Sequence, residues 1–113
     1  MKIIADYDRT VHPPLLRLYI HDAPHRRMHI KVIQQYRVAL RAAMQKIGIK
    51  NVIMNQIALW VLFVNPSSPD LGNLYLALEQ ALDHTTLTKP GIVMDDSLIV
   101  EQSTRILFPP AKK

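Results

Sequence analysis

Acidic residues at two places in the second half of the chain are the first candidates for chemistry. Asp70 opens the segment DLGNLYLALEQAL, and Asp95 and Asp96 stand together in VMDDSLIV. Mg²⁺ is often held by only one or two carboxylates, with waters and phosphate oxygens completing its octahedron. Asp70 and the pair Asp95-Asp96 are therefore two candidate carboxylate sites for a metal ion.

The same aspartates also have a purely structural interpretation. Asp70 precedes leucines at helical spacing and is a good N-cap, because its carboxylate can accept from the free amides of the first turn. Asp95 and Asp96 could form a turn that leads into a strand. Both places are element boundaries, where functional residues concentrate. We expect the strands beside them to be neighbours in one sheet, which would favour a shared site.

In their order and spacing, these segments resemble the RusA-type Holliday junction resolvases, which are small homodimeric endonucleases of bacteria and their phages. The resemblance covers about residues 10–107. It is carried by Asp70-Leu71, Asn73-Leu74, Asp95-Asp96 and Ile99-Val100. It implies a RusA-like α/β fold, a homodimer, Mg²⁺ as cofactor, and cleavage of four-way DNA junctions in recombination or repair. Asp70 and Asp96 match two of the family's three metal-site carboxylates, so the resemblance makes them candidate catalytic residues and metal ligands, with Asp95 a weaker candidate ligand. A Mg²⁺ ion held there would activate water and neutralise charge on a phosphodiester.

Two positions depart from the family pattern. Gly72 stands where the family has its second aspartate, and Leu76 stands where it has a lysine. Glu79 and Asp83 follow on the same helix face, but we do not expect either to replace the missing aspartate. The departures leave two hypotheses open within the resemblance. One is a Mg²⁺-dependent junction endonuclease, and the other is a catalytically degenerate protein that binds branched DNA.

Basic residues are concentrated in the first half of the chain. Residues 1–50 hold ten Lys and Arg against three Asp and Glu, whereas residues 51–113 hold four against six. A basic region of this kind suits phosphate neutralisation. A solvated helix face is the competing interpretation. The candidate phosphate contacts are Arg26, Arg27, Lys31 and Lys89.

Composition limits the other classes of function. The chain has 113 residues, the size of a single domain, and no cysteine, so disulfides and thiolate chemistry are excluded. The longest apolar run, IALWVLFV, is too short to cross a bilayer as a helix. No signal-peptide core follows Met1. We therefore expect a cytoplasmic protein without a membrane partner. A third hypothesis is an unrelated α/β adaptor whose acidic residues are only caps and turns.

The pattern of apolar residues predicts the elements that would position these groups. Residues 29–47 and 70–83 are predicted to be helices, and 52–64 and 97–108 strands, with a break in the first of these strands at Asn55-Gln56 as an alternative. KIIADY and LLRLYI are predicted to be short strands in an otherwise irregular first segment. The order strand, helix, strand, helix, strand predicts one small α/β domain over residues 1–113, with one mixed sheet and two main helices. Its ends, at about 1–2 and 109–113, are predicted to be flexible.

Overall fold

The computed structural model describes residues 1–24, 30–67, 70–83, 91–93 and 95–108. Four strands, two α-helices and one short 3₁₀ turn lie in these residues. They are β1 (Lys2–Asp8), β2 (Leu15–His21), α1 (Ile30–Lys46), β3 (Ile57–Val64), α2 (Leu71–Leu82), the 3₁₀ turn (Asp96–Leu98) and β4 (Ile99–Leu107). No helix in the described part of the chain is long and apolar enough to cross a membrane. The predicted end at 109–113 lies outside the described residues.

The strands form one mixed sheet in the order β1-β2-β3-β4. β1 is antiparallel to β2, whereas β2, β3 and β4 are parallel. The prediction of a small α/β domain with one mixed sheet and two main helices is therefore confirmed. Parallel neighbours require a crossover, and α1 and α2 provide the two crossovers. Because both step in the same direction across the sheet, right-handed connections place both helices on the same face.

The structure corrects two details of the predicted strands. KIIADY and LLRLYI both form strands, and they pair with each other as β1 and β2. Two strands therefore precede α1, where the predicted order had one. β3 begins at Ile57, so the single strand predicted over residues 52–64 is too long, and the alternative with a break at Asn55-Gln56 is closer to the structure. Ile53 instead makes an isolated bridge with Val93.

A glycine two residues after the end of α1 stops the helix. Gly48 has a positive φ of 80°, which a residue without Cβ adopts at little cost. Its N–H donates to the Gln45 carbonyl at 3.0 Å, and the Ile49 N–H donates to Met44 at 2.9 Å. This pair of bonds is the Schellman arrangement that ends many helices.

The core lies between the helices and one face of the sheet. Tyr36, Leu40 and Met44 of α1 are buried, whereas Ile47, just beyond the end of the helix, is exposed. α2 buries Leu74, Leu78 and Leu82, and two small alanines, Ala77 and Ala81, complete its buried side. From the sheet, the buried core residues are Ile3, Ala5, Leu16, Leu18, Ile20, Ile57, Leu59, Val61 and Phe63.

The parallel strands give the sheet two functionally distinct edges. β2 and β3 end at the carboxyl edge, where α1 and α2 begin. The helices run back, so α2 ends at the amino edge, where β4 begins. This arrangement decides which predicted site residues can meet.

Candidate functional site

Asp70 is the N-cap of α2 at the carboxyl edge. Its carboxylate accepts from the Asn73 backbone N–H at 3.1 Å and from the Asn73 side-chain amide at 2.9 Å. Both carboxylate oxygens are therefore engaged by a residue three positions along the chain. The helix-cap interpretation of Asp70 explains this geometry fully.

The two positions that depart from the resembled family lie on the exposed side of α2. A Cβ built on Gly72 would lie 3.5 Å from Asp70 Oδ1 and meet nothing closer. An aspartate side chain at this position would therefore start beside Asp70, as the family pattern implies. The Leu76 side chain is 41% exposed. Neither position is constrained by core packing.

Asp83, Asp95 and Asp96 form a second group of carboxylates, which we call the acidic cluster, at the amino edge. Asp83 follows the last residue of α2, and Asp96 begins the 3₁₀ turn before β4. Burial raises the pKa of the Asp83 carboxyl, and the charges of Asp96 and Asp95 raise it further. Asp83 Oδ1 is buried and has no hydrogen-bond partner among the described residues. The cluster therefore concentrates negative charge at the end of a helix that is itself electronegative.

Asp95 and the nearby Tyr75 respond to this environment in different ways. The Asp95 carboxylate accepts from the Ser97 N–H at 2.9 Å. Hydrogen bonds from Ser97 and Asp96 lower the pKa of Asp95. Burial, with the charges of Glu79 and Asp96, raises the pKa of Tyr75 to about 12. The Tyr75 hydroxyl therefore stays protonated at neutral pH and can donate toward the carboxylates.

The structure does not bring Asp70 and Asp96 together. They lie at opposite ends of α2, because Asp96 adjoins Asp83 at the amino edge. Thirteen residues at 1.5 Å each separate Asp70 from Asp83 by about 20 Å along the helix axis. One Mg²⁺ ion cannot contact Asp70 and Asp96 of the same chain in this arrangement. Among residues 1–24, 30–67, 70–83, 91–93 and 95–108, no group of three or more His, Cys, Asp or Glu is placed to hold a metal ion.

Of the predicted phosphate contacts, only Lys31 lies in the described residues. It is exposed in the first turn of α1, at the carboxyl edge. Arg26, Arg27 and Lys89 lie outside the described residues. Arg37 has a structural role instead, because its guanidinium donates to the Gln80 carbonyl at 3.2 Å and joins α1 to α2.

Three adjoining clefts extend from the outer side of α1 around the amino edge. The first, of about 350 Å³, is lined by Arg37 and Arg41, and it shares Arg41 and Gln45 with the second. The second, of about 280 Å³, shares residues 49–52 with the third, of about 510 Å³. Arg9, which stacks over the Tyr7 ring at 5.4 Å, lines the third. No Asp or Glu of the described chain lines any of the three clefts.

We call Arg9, Arg41 and Lys50 the basic belt, since they line these clefts in succession. Arg41 and Lys50 are both exposed, as expected of side chains that contact a ligand rather than the core. The second cleft also includes Gly91 and Ile92, whose backbone packs on the end of α2 beside Asp83. The basic belt therefore passes close to the acidic cluster.

Sequence reasoning missed Arg9, Lys50 and the role of Asp83. Arg9 and Lys50 are 41 positions apart, and only the pairing of β1 with β2 and the end of α1 brings them near one another. From the sequence, Asp83 was noted only as sharing a helix face with Glu79. A carboxylate at a helix C-terminus is electrostatically unfavourable, and that signal could have marked it. Comparisons with family models, curated proteins and solved structures find no match for the chain.

Replacing Asp83 by Asn is expected to stabilise the fold at neutral pH by up to about 1 kcal/mol, the upper range for one charge at a helix end. A carboxyl whose folded pKa is raised costs stability as pH rises above its unfolded value of 3.8. The gain from Asp83→Asn should therefore disappear in acid, where Asp83 is protonated. Thermal unfolding of parent and variant across pH measures this difference. Glu101→Gln is the control, and an equal gain for both would contradict the account of the cluster.

Proposed function

We propose that the chain binds branched DNA through phosphate contacts along the basic belt, with four-way junctions as the preferred substrate class. The observation that carries the proposal is the run of three connected clefts that Arg9, Arg41 and Lys50 line and that no described carboxylate enters. Phosphate contacts position a protein on DNA without reading sequence. They suit a partner that is recognised by its shape.

Two further features support the proposal. The chain carries a net charge of +5, and the excess of basic residues lies in its first half. The order of segments around Asp70 and Asp96 resembles the RusA-type resolvases, whose substrate is the four-way junction. With Gly72 and Leu76 in place of an aspartate and a lysine, binding requires fewer of the family's residues than cleavage does.

Fluorescence anisotropy with a labelled four-way junction in EDTA tests the proposal directly. We expect binding without a metal ion, and competition by unlabelled junction at lower concentration than by linear duplex of equal length. A protein with the same affinity for junction and duplex would not be a branched-DNA binder. Absence of binding to both the junction and the duplex would favour the third hypothesis, an α/β adaptor whose acidic residues are only caps and turns.

A second candidate function, Mg²⁺-dependent cleavage of the junction, is favoured by one observation. Asp83 and Asp96 adjoin each other beside the basic belt, and the buried Asp83 oxygen lacks a partner in the described structure. Two carboxylates are enough for Mg²⁺ when water and phosphate oxygens complete its coordination. Asp83 and Asp96 could therefore hold an ion that Asp70 and Asp96 cannot share within one chain. The ion would supply an activated water and charge neutralisation at the scissile phosphate.

Matched aspartate-to-asparagine variants test this second candidate. If the parent nicks a junction in Mg²⁺, Asp96→Asn is expected to abolish nicking while junction binding is kept or improved, because a charge near phosphate is lost. Asp70→Asn is the control, since asparagine caps a helix about as well as aspartate. Loss of nicking in Asp70→Asn with normal rates in Asp96→Asn would place the site at the carboxyl edge instead. A parent protein that binds junctions but never nicks them would support the hypothesis of a catalytically degenerate protein that binds branched DNA.

A further inference from the structure

The face of the sheet opposite the helices is covered by no helix of the described chain. Alternate residues of β3 are buried beneath α1 and α2, whereas Trp60, Leu62 and Val64 point the other way and are half-buried. β2 shows the same alternation, with Tyr19 on the uncovered side. We call this uncovered side the open face. A ligand can reach its side chains without any rearrangement of the helices.

Two aromatic side chains, Tyr19 and Trp60, meet at the centre of the open face, and we call them the aromatic pair. Their rings contact edge to face, with centroids 5.3 Å apart. Such a contact uses the edge of one ring and one face of the other, so ring faces remain for a third aromatic group. Both residues are half-buried, so their rings are partly accessible. The composition, with one Trp and two Phe, does not predict the pair, because only the pairing of β2 with β3 brings the two residues together.

Charges on the open face are separated by sign. Register places Lys2, His21, Val64 and Leu107 in one row across the four strands at the carboxyl edge, and Ile4, Tyr19, Leu62 and Arg105 in the next row. These two rows contain no carboxylate, and we call Lys2 and Arg105 the basic end. Both side chains are exposed, and within the described residues neither makes an ion pair. The row at the amino edge contains Asp8 and Glu101 instead.

We propose that the open face binds single-stranded DNA, with bases stacked on the aromatic pair and phosphates at the basic end. Binding of single strands without sequence preference combines these two elements, since every base has a π-face and every nucleotide a phosphate. Arg105 lies two strands from Tyr19 in the same row, about 10 Å away, so adjoining nucleotides can reach both. The acidic row lies beyond Trp60, on the side away from the basic end. The DNA strand therefore crosses the β-strands along the basic end and points its bases toward Trp60.

A single strand suits this face better than a duplex, because its bases are unpaired and free to stack on protein rings. Beside Trp60, in the same row, Arg17 and Asp6 form an ion pair of 2.8 Å that offers donors and acceptors to base edges. None of these contacts uses a 2′-hydroxyl, the group by which proteins recognise RNA, so we name DNA as the occupant. The inference does not depend on junction binding, since the basic belt follows α1 and the amino edge, whereas the basic end lies at the carboxyl edge.

Quenching of Trp60 fluorescence by an oligothymidylate of about eight nucleotides tests the stacking, because Trp60 is the single tryptophan of the chain. We expect saturable quenching, and none with an abasic strand of the same length, which offers phosphates without bases. Tyr19→Leu keeps an apolar side chain on the sheet and should weaken oligothymidylate binding about tenfold, the effect of one lost stack. Far-UV circular dichroism checks its fold. Absence of quenching by oligothymidylate, equal quenching by the abasic strand, or unchanged affinity in a folded Tyr19→Leu variant would overturn the proposal.

The salt dependence of the same quenching tests the phosphate contacts. Two contacts to a single strand predict a slope of about −1.4 for the logarithm of the binding constant against the logarithm of salt concentration. Arg105→Gln, at an exposed position of β4, should weaken binding and bring the slope to about −0.7. Lys46→Gln is the matched control, since Lys46 is equally charged and exposed but lies on α1. Equal effects of the two substitutions would show that Arg105 makes no phosphate contact.

The triple substitution of Arg9, Arg41 and Lys50 by alanine separates this surface from the basic belt. None of the three lies in the rows of the open face, so quenching by oligothymidylate should be unchanged. Loss of junction binding with quenching retained would support two separate surfaces, whereas loss of quenching would assign the single strand to the belt and refute the inference. Two other occupants are also tested. Tighter binding of an oligouridylate would identify RNA, a change in Trp60 emission with protein concentration alone would identify a second copy, and either result would contradict the proposal.

Discussion

Junction affinity is expected to fall by about 10² to 10³ when Arg9, Arg41 and Lys50 are replaced together by alanine. Each phosphate contact releases condensed counterions, and near 0.1 M salt one contact contributes about eightfold to the binding constant. Three contacts therefore account for a loss of this size. The measurement is the dissociation constant for a labelled four-way junction at fixed salt, in EDTA.

Lys46→Ala is the matched control for the belt. Lys46 lies in the last turn of α1, is exposed, and lines none of the three clefts. The Lys46→Ala substitution removes one positive charge from the helix that carries Arg41, so general electrostatic attraction predicts equal losses per residue. We expect Lys46→Ala to change affinity less than any single belt variant. If the triple variant binds like the parent, the belt is not the DNA surface.

Gly91→Ala is expected to destabilise the fold by about 3 kcal/mol, because a Cβ at this buried position would clash with backbone rather than with movable side chains. Those backbone atoms are the Leu82 and Asp83 carbonyls at the end of α2. The Leu82 carbonyl also accepts from the N–H groups of Ile92 and Val93, at 3.0 and 2.9 Å. The end of α2 cannot move away from residue 91 without breaking these hydrogen bonds. Urea unfolding of parent and variant measures the free energy of unfolding.

Gly72→Ala is the control for this glycine. Its new Cβ would make only an ordinary 3.5 Å contact with Asp70 Oδ1, and alanine is favoured over glycine within a helix. We expect a neutral or stabilising change of up to about 1 kcal/mol. Equal destabilisation by the two substitutions would show that the close packing of Gly91 on α2 is not the reason why Gly91→Ala lowers the free energy of unfolding.

The helices could be predicted because each one carries its own local signals. α1 repeats apolar residues at steps of three and four and ends at Gly48, and α2 begins at a capping aspartate. Pairing of strands depends on contacts far apart in the chain, which local pattern does not contain. The antiparallel pairing of β1 with β2 became visible only in the sheet, which also decided between a strand over 52–64 and one that begins at Ile57.

The helices and strands that flank the candidate site were predicted from the sequence, but the separation of Asp70 and Asp96 was not. β3 and β4 are neighbours, as the sequence predicted, and Asp70 and Asp96 flank them. Whether the two aspartates meet depends on strand direction. Had β4 been antiparallel to β3, its start would lie at the edge where β3 ends. Because the strands are parallel, α2 carries the chain to the other edge, and Asp96 meets Asp83 instead.

The salt dependence of junction binding tests most directly whether the basic belt contacts DNA phosphates. The logarithm of the binding constant is expected to fall linearly with the logarithm of salt concentration between about 50 and 200 mM, for the parent and the triple variant alike. Each lost phosphate contact should reduce the slope by about 0.9, so the parent slope should be steeper by about 2.7. Equal slopes for the two proteins would contradict the account, since Arg9, Arg41 and Lys50 would then release no counterions.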